Sequence, residues 1–267
     1  MLIAGKGRRL LVSDYSAIEA RVLAWLAGHE TVLQSFRDGL DLYKVTASDM
    51  YGIPYSDVDK DQRFDAKIAV LALGYQGGSR AFTKMAQNYG TVVDDEQALK
   101  IRDGWRATNK PIVRLWHEVE AAAVKAVQFG KADTSIGVFN MVENDLVFVL
   151  PSQRLLSFPK AQVSNSKLSY YGMNNYTHKW EAIPTYGGSL VQSITQAVAR
   201  DLLAHSLLLI EQAGFDPIMT VHDEIVADTR INHGSLDEFN DLMCRLPDWA
   251  AGLPMAVEGY ESQRYRK

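Results

Sequence analysis

A strand-like run near the N terminus of this chain meets no other strand-like run until the chain is half spent, and that gap decides what sheet it can build. Residues 8 to 13, within "RRLLVSDY", read as a short strand. Helical patterns then follow one another from Ser16 to about Phe129, broken by the turn signals "AGHE", "DGLD", "YGIPYSDVD" and "GGS". From about Asp133 to Tyr186 the texture changes to short β-type runs such as "DLVFVLPSQRLLSF" and "KLSYYG". The stretch "YGGSLVQSITQAVARDLLAHSLLLIEQAG" predicts one long helix with glycine at both ends, followed by a strand "PIMTV", the residues "HDE" and a second strand "IVAD". The order strand, helices, strands, helix, hairpin predicts an α+β fold. Its sheet is assembled from both ends of the chain, with a helical subdomain inserted between them.

Composition sets bounds on what such a fold does. A chain of 267 residues with 47% hydrophobic side chains can bury the core of one large domain or two smaller ones. Its net charge of -4 does not by itself advertise nucleic acid, so any such role needs local basic clusters. A single cysteine, Cys244, leaves no internal disulfide framework and no multi-cysteine metal site. No run approaches the roughly 20 apolar residues of a membrane span, and "MLIAGKGRRLLV" is too short and too basic for a signal peptide. The expected location is the cytoplasm.

Three stretches carry chemistry. In "LLVSDYSAIEARV", Ser16 and Glu19 have the spacing of a capping box, but Asp14, two residues before that cap at the end of an apolar strand, is not explained by it. In "IMTVHDEIVAD", His222, Asp223 and Glu224 stand at a tight connection between two apolar runs. Taken alone, Asp14 reads more simply as a solvated turn aspartate, and the second stretch reads also as a polar turn. If both strands lie in one sheet, Asp14 and Asp223 converge, and two carboxylates suit a hard divalent cation such as magnesium, which keeps water positions open for phosphates. That chemistry is phosphoryl transfer. In "QRFDAKIAVLALGYQGG", Arg63, Lys67, Leu71 and Tyr75 recur every four positions and predict one drifting helical stripe, cationic at one end and apolar at the other. Cations over a triphosphate and apolar groups over a base and sugar use such a stripe well; a surface stripe turning into the core is the plainer reading.

Together these stretches resemble motifs A, B and C of the family A DNA polymerases, the DNA polymerase I type, and most closely the phage-encoded members. "DYSAIEARVLAWLAG" is similar to motif A, "RFDAKIAVLALGY" to motif B and "VHDE" to motif C, with "LPSQR" and "YGGSLVQSITQAVARDLL" similar to palm segments between them. The resemblance implies palm at residues 1–28 and 132–267, fingers at 29–131, and no thumb or exonuclease domain in this stretch of chain. It implies that Asp14, Asp223 and the backbone carbonyl of Tyr15 hold two Mg²⁺ ions, with Glu224 beside them. Arg63 and Lys67 would grip the incoming triphosphate, Tyr75 would stand beside the nascent base pair and Glu19 would crowd the sugar 2′ position. Gln196 would read the minor groove, His222 and Glu224 would flank the primer end, and Arg154 is a further DNA-contact candidate.

Three positions depart from the family pattern. Leu71 stands where a phenylalanine or tyrosine is usual, Tyr43 where many relatives have histidine near the triphosphate, and Gln76 where glycine often follows the motif B tyrosine. DNA contacts fall to local cations, with Lys6, Arg8 and Arg9, the series Lys100, Arg102, Arg106, Lys110 and Arg114, and Arg264, Arg266 and Lys267 as candidates alongside Arg80 and Lys84. The expected function is magnesium-dependent, template-directed DNA synthesis from dNTPs, as part of a split or truncated polymerase. Its partners are primer–template DNA, dNTPs and a second polypeptide supplying thumb and upstream palm. The alternatives are a catalytically silent DNA-binding or assembly fragment and a single-subunit RNA polymerase, which Glu19 argues against.

Overall fold

Apolar strands at the two ends of the chain find each other, as the sequence pattern predicts. The computed structural model describes residues 2–165, 167–174 and 177–266. Strand β1 (Arg8–Tyr15) is followed by helices α1 (Ile18–Leu26), α2 (Glu30–Arg37), α3 (Leu42–Tyr51), α4 (Lys60–Leu73), α5 (Ser79–Asn88), α6 (Asp95–Thr108) and α7 (Lys110–Phe129). Strands β2 (Lys131–Thr134), β3 (Gly137–Val142), β4 (Asp145–Val149), β5 (Leu155–Phe158), β6 (Gln162–Ser164), β7 (Lys167–Met173) and β8 (Trp180–Thr185) come next. The long helix α8 (Gly187–Gln212) then leads to β9 (Pro217–Val221), β10 (Glu224–Arg230), α9 (Leu236–Cys244) and β11 (Val257–Ser262).

The chain divides into two compact units, one formed by residues 1–22 and 196–267 and the other by residues 23–195, so that the boundary falls within α1 and within α8. In the first unit the described strands form an antiparallel sheet in the order β11-β1-β10-β9. Central position explains the composition of β1: Leu10, Leu11 and Val12 are essentially fully buried, because both faces of the strand are covered. The even-numbered residues Leu10 and Val12 pack with Val226 and with Leu2, Ala4, Met219, Tyr260 and Tyr265. The odd-numbered residues face the other way, where Ser13 Oγ donates to Asn240 Oδ1 of α9 at 2.5 Å. Each buried aliphatic side chain contributes about 1.5–3 kcal/mol.

The second unit is built on the helices α2–α7 and two small antiparallel sheets, β2-β3-β4-β5 and β6-β7-β8. Its helices start where the sequence supplies caps. Asp59 and Gln62 form a reciprocal capping box on α4, and Asp41 accepts from the backbone N–H groups of Tyr43 and Lys44 to start α3. Trp105 of α6 stacks on Trp116 of α7 with ring centroids 5.9 Å apart. The N terminus of α8 packs so closely that a Cβ at Gly188 would lie 2.2 Å from the carbonyl oxygen of Tyr75, so only glycine fits.

Candidate active site

In the first unit, alternation along β1 decides where Asp14 points. Tyr15, its neighbour, is buried, and its phenol Oη lies 2.6 Å from Ser206 Oγ and donates to the Met243 carbonyl at 3.0 Å. Burial pushes this phenol well above its ordinary pKa, so it is a neutral anchor. With Tyr15 held on one face, Asp14 must project from the other, exposed at the sheet's end.

Two strands flank Asp14 there. Glu224 of β10 is its cross-strand partner on one side and Glu258 of β11 on the other. The hairpin joining β9 to β10 has only His222 and Asp223 outside the strands, and Glu224 pairs with Val221 to close it. His222 is left-handed at φ +57°, a conformation that costs a non-glycine residue about 1 kcal/mol or more and that concentrates at functional turns. The backbone N–H of Tyr15 donates to the Asp223 carbonyl at 3.4 Å, so the end of β1 and the hairpin tip are adjacent. Asp14, Tyr15, Asp223 and Glu224, far apart in sequence, are thus brought together.

Glu224 is buried, and Tyr265 Oη donates to its Oε1 at 2.8 Å. That bond to a carboxylate is the main reason the Tyr265 phenol is raised to about 12. Tyr265 also belongs to the apolar cluster on β1 and donates its backbone N–H to the Leu2 carbonyl at 3.1 Å. Beside the hairpin opens a cleft of about 560 Å³ lined by Ile18, Glu19, Gln196, Ala199, Arg200, Leu203, His222 and Asp223. Gln196 Nε2 donates to Glu19 Oε1 at 3.2 Å across it. Helix α1 begins at Ile18, and Ala17 before it is left-handed at φ +53°. Ser16 therefore stands one residue outside the cap position that the expected capping box requires, and Glu19 sits in the first turn facing the cleft.

In the second unit the predicted helical stripe is real but shorter than expected. Helix α4 ends at Leu73, so Arg63, Lys67 and Leu71 share a face while Tyr75 lies just beyond the cap residue Gly74. Leu71 is 44% exposed, which removes the reading in which the stripe turns into the core. Arg63 Nε donates to Asp41 Oδ2 at 2.7 Å, and its guanidinium carbon lies 5.2 Å from the Tyr43 ring centroid. Burial alone raises the Asp41 carboxyl, but the Arg63 hydrogen bond and the N–H groups of Lys44 and Tyr43 outweigh it and hold it below the ordinary carboxylate range. Lys67 Nζ stands 5.6 Å from the ring centroid of Tyr89. Past the helix, Gln76 takes φ +66° and its Oε1 accepts from Gly188 N–H at 2.8 Å, while Trp116 Nε1 donates to Gly74 O at 3.0 Å. Tyr75 is held between these two clamps. Gln76 thus does a specific structural job, joining the end of this segment to the start of α8.

Several of the expected DNA-contact cations have internal partners. Arg8 pairs with Asp216 and Asp228, Arg9 with Glu261, Lys100 with Glu96 and Arg102 with Asp103. Arg106 donates to the Gly77 carbonyl and stacks over Trp116. Arg154 is exposed in the turn after β4. Lys267 lies outside the described residues. Sequence reasoning missed Tyr265, Asp41 and Arg200, since neither residue type nor local spacing marks them.

Comparison with known proteins bears on this arrangement. Residues 1–136, including the motif A and motif B stretches, match the model of DNA polymerase family A. This chain belongs to DNA polymerase family A. It is 39% identical to the DNA polymerase of Bacillus phage SP02 over 99% of its length, motif C included, and spans 42% of that relative. It is 26% identical to DNA polymerase I of Pseudomonas aeruginosa over 85% of the chain, covering 22% of that protein. In fold it is similar to the POL domain of Pol1 from M. smegmatis, solved in complex with DNA primer-template and dNTP, with a TM-score of 0.64 at 18% identity over 98% of this chain and 41% of the other. The Asp14–Glu224 strand pair and the helix bearing Arg63 and Lys67 are both features of this chain. Among the described residues, no helix is long and apolar enough to cross a membrane.

Proposed function

We propose that this chain performs template-directed DNA synthesis, transferring a nucleotidyl group from a dNTP to a primer 3′-hydroxyl. The observation that carries the reading is the meeting of Asp14, at the end of β1, with the Asp223–Glu224 hairpin across a direct strand pair. Palm function is assigned to residues 1–28 and 132–267 and fingers function to residues 29–131. Asp14, Asp223 and the Tyr15 carbonyl are the assigned Mg²⁺ ligands. The donor set fits the ion: two hard carboxylates from adjacent rigid elements suit a cation that binds through one or two carboxylates plus substrate phosphates. When bound, two such ions lower the pKa of the primer hydroxyl and stabilise the departing pyrophosphate.

The chain's own residues do the rest. Arg63 and Lys67 attract the triphosphate, and Arg63 leaves the half-buried Asp41 pair to do so, exchanging one charge-assisted partner for another. Leu71 offers the nucleotide aliphatic contact, Tyr43 and Tyr75 border it, and Glu19 in the cleft excludes a ribose 2′-hydroxyl. Gln196 meets the minor groove, His222 and Glu224 flank the primer terminus, and Arg154 adds a DNA contact. Primer–template DNA and dNTPs are the partners, and a second polypeptide bearing thumb and upstream palm is expected to raise activity by holding the duplex. Asp14→Asn and Asp223→Asn should each abolish primer extension by this chain, with or without such a partner, while leaving DNA affinity within about twofold, because basic contacts survive the loss of metal charge. Near wild-type extension by either variant would remove the metal assignment.

A further inference from the structure

The cleft beside Asp223 contains a cation to which the reading above gives no role. Helix α8 presents one face to it: Gln196, Ala199, Arg200 and Leu203 fall at positions i, i+3, i+4 and i+7. Leu203 is buried at the floor and Ala199 is small, so the middle of this face is low, and Gln196 and Arg200, both exposed, stand on either side of it. The low middle lets a ligand come close to the helix, and the two long polar side chains frame it.

Charge singles out Arg200 further. Glu19 and Asp223 line the cleft, and Asp14 and Glu224 stand at the adjoining strand ends, a local field that repels any phosphate-bearing ligand. Of the residues lining the cleft, Arg200 alone is an arginine or lysine. Arg8, Arg9, Lys100 and Arg102 are neutralised by carboxylates, whereas no ion pair or hydrogen bond holds the Arg200 guanidinium among the described residues. An unpaired guanidinium facing an acidic cleft is disposed to take a phosphodiester oxygen in a forked, charge-assisted hydrogen bond.

We propose that Arg200 binds a phosphate of the primer strand close to its 3′ end and thereby holds the terminus against the repulsion of the carboxylates. Four residues of helix advance about 6 Å, which is about two base-pair steps of a duplex at about 3.4 Å each, so Gln196 and Arg200 reach the same short end of the primer. This rests on the polymerase reading, and the same phosphate chemistry belongs to the triphosphate of a nucleotide, so the test has arms for both.

The test is fluorescence anisotropy of the full chain with a labelled primer–template hairpin having a recessed 3′ end, across a series of KCl concentrations, with no turnover required. Wild type, Arg200→Ala, Arg200→Lys and a control, Arg102→Ala, are compared. Thermal unfolding checks that each is folded, as expected for exposed Arg200 and half-buried Arg102. Arg200→Ala should raise Kd about threefold or more near 0.1 M salt and lower the slope of log affinity against log salt by about 0.9, while Arg200→Lys restores most of the slope. Arg102→Ala should leave both unchanged. An Arg200→Ala variant with wild-type affinity and slope overturns the inference and leaves the polymerase reading standing. Intact DNA binding with weakened competition by Mg-dNTP transfers the phosphate to the nucleotide and overturns the primer assignment. A wild-type chain that fails to bind primer–template at all overturns both readings together.

Discussion

Tyr265 acts at the level of one hydrogen bond. Its ring is part of the apolar cluster under β1, and its hydroxyl reaches the carboxylate of Glu224, next to Asp223 and directly across from Asp14. Replacing it with phenylalanine keeps the ring and deletes the bond, leaving a buried carboxylate short of one donor. The bond lies at a partly exposed position, where solvent competes for both groups and its contribution to stability is small. Under the proposed function, Tyr265→Phe should therefore lower the melting temperature only slightly and yet slow primer extension several-fold, because Glu224 is freed to swing toward Asp14 and Asp223. Single-turnover extension beside a thermal melt checks this; equal rates for variant and wild type would confine Tyr265 to packing. Legibility differs sharply at this scale. Asp14 and Asp223 could be found because each ends an apolar run, a signal written in consecutive residues. Tyr265 could not, because its partner stands 41 residues away and nothing in "SQRYRK" marks a tyrosine that folds back under another strand.

At the scale of elements, local chemistry explains most starts and stops. The helical block, the β-rich stretch after α7, the long helix α8 and the hairpin after it were all legible, since periodicity, caps and glycines mark them. Helix α9 and strand β11 were not singled out: the one is short, and "VEGYES" carries glycine and two glutamates where a strand pattern wants apolar residues. Their places are fixed by tertiary pairing, β11 by β1 and α9 by Ser13 through Asn240. The α1–α2 junction offers a prediction at this scale. His29, the residue before α2, is buried, and burial lowers its pKa below 6.5 against the opposing pull of the Thr108 carbonyl, Asn109 and Asp49. A pKa depressed on folding means the neutral ring is the folded form, so its contribution is whole above 6.5 and is lost as pH falls below that value. Unfolding free energy should decline from pH 7 toward pH 5 with a His29 share of at most about 1.4 kcal/mol per pH unit, and His29→Gln should flatten that share. Denaturant melts across the window decide it; identical slopes for both proteins would show His29 to be solvated in solution.

On the scale of the whole molecule, the feature that most separates this chain from a simple one is the distance along the sequence between partners in its central sheet. Strand β1 lies between β10 and β11, so Asp14 pairs with Glu224 and with Glu258, and Leu11 with Ala227 and Glu261. That sheet was legible in outline because an isolated strand near the N terminus has to find partners elsewhere. Its register was not, since the pairing is set by which face each side chain buries and not by any turn. The same topology orders events in time. Helices α3–α7 close on neighbours near in sequence, whereas β1 gains nothing until the entire intervening chain has been confined, and loop closure must be met before the contacts reward it. Amides of β1 should therefore acquire hydrogen-exchange protection after those of α4 and α7 during refolding, by an order of magnitude or more in time. Pulsed exchange read by mass spectrometry follows both sets in one experiment. Protection of residues 10–15 at the same rate as α4 would mean that the carboxylate-bearing strand pair forms together with the helices between its partners, and that the geometry of the candidate site is part of the folding nucleus instead of completing the fold.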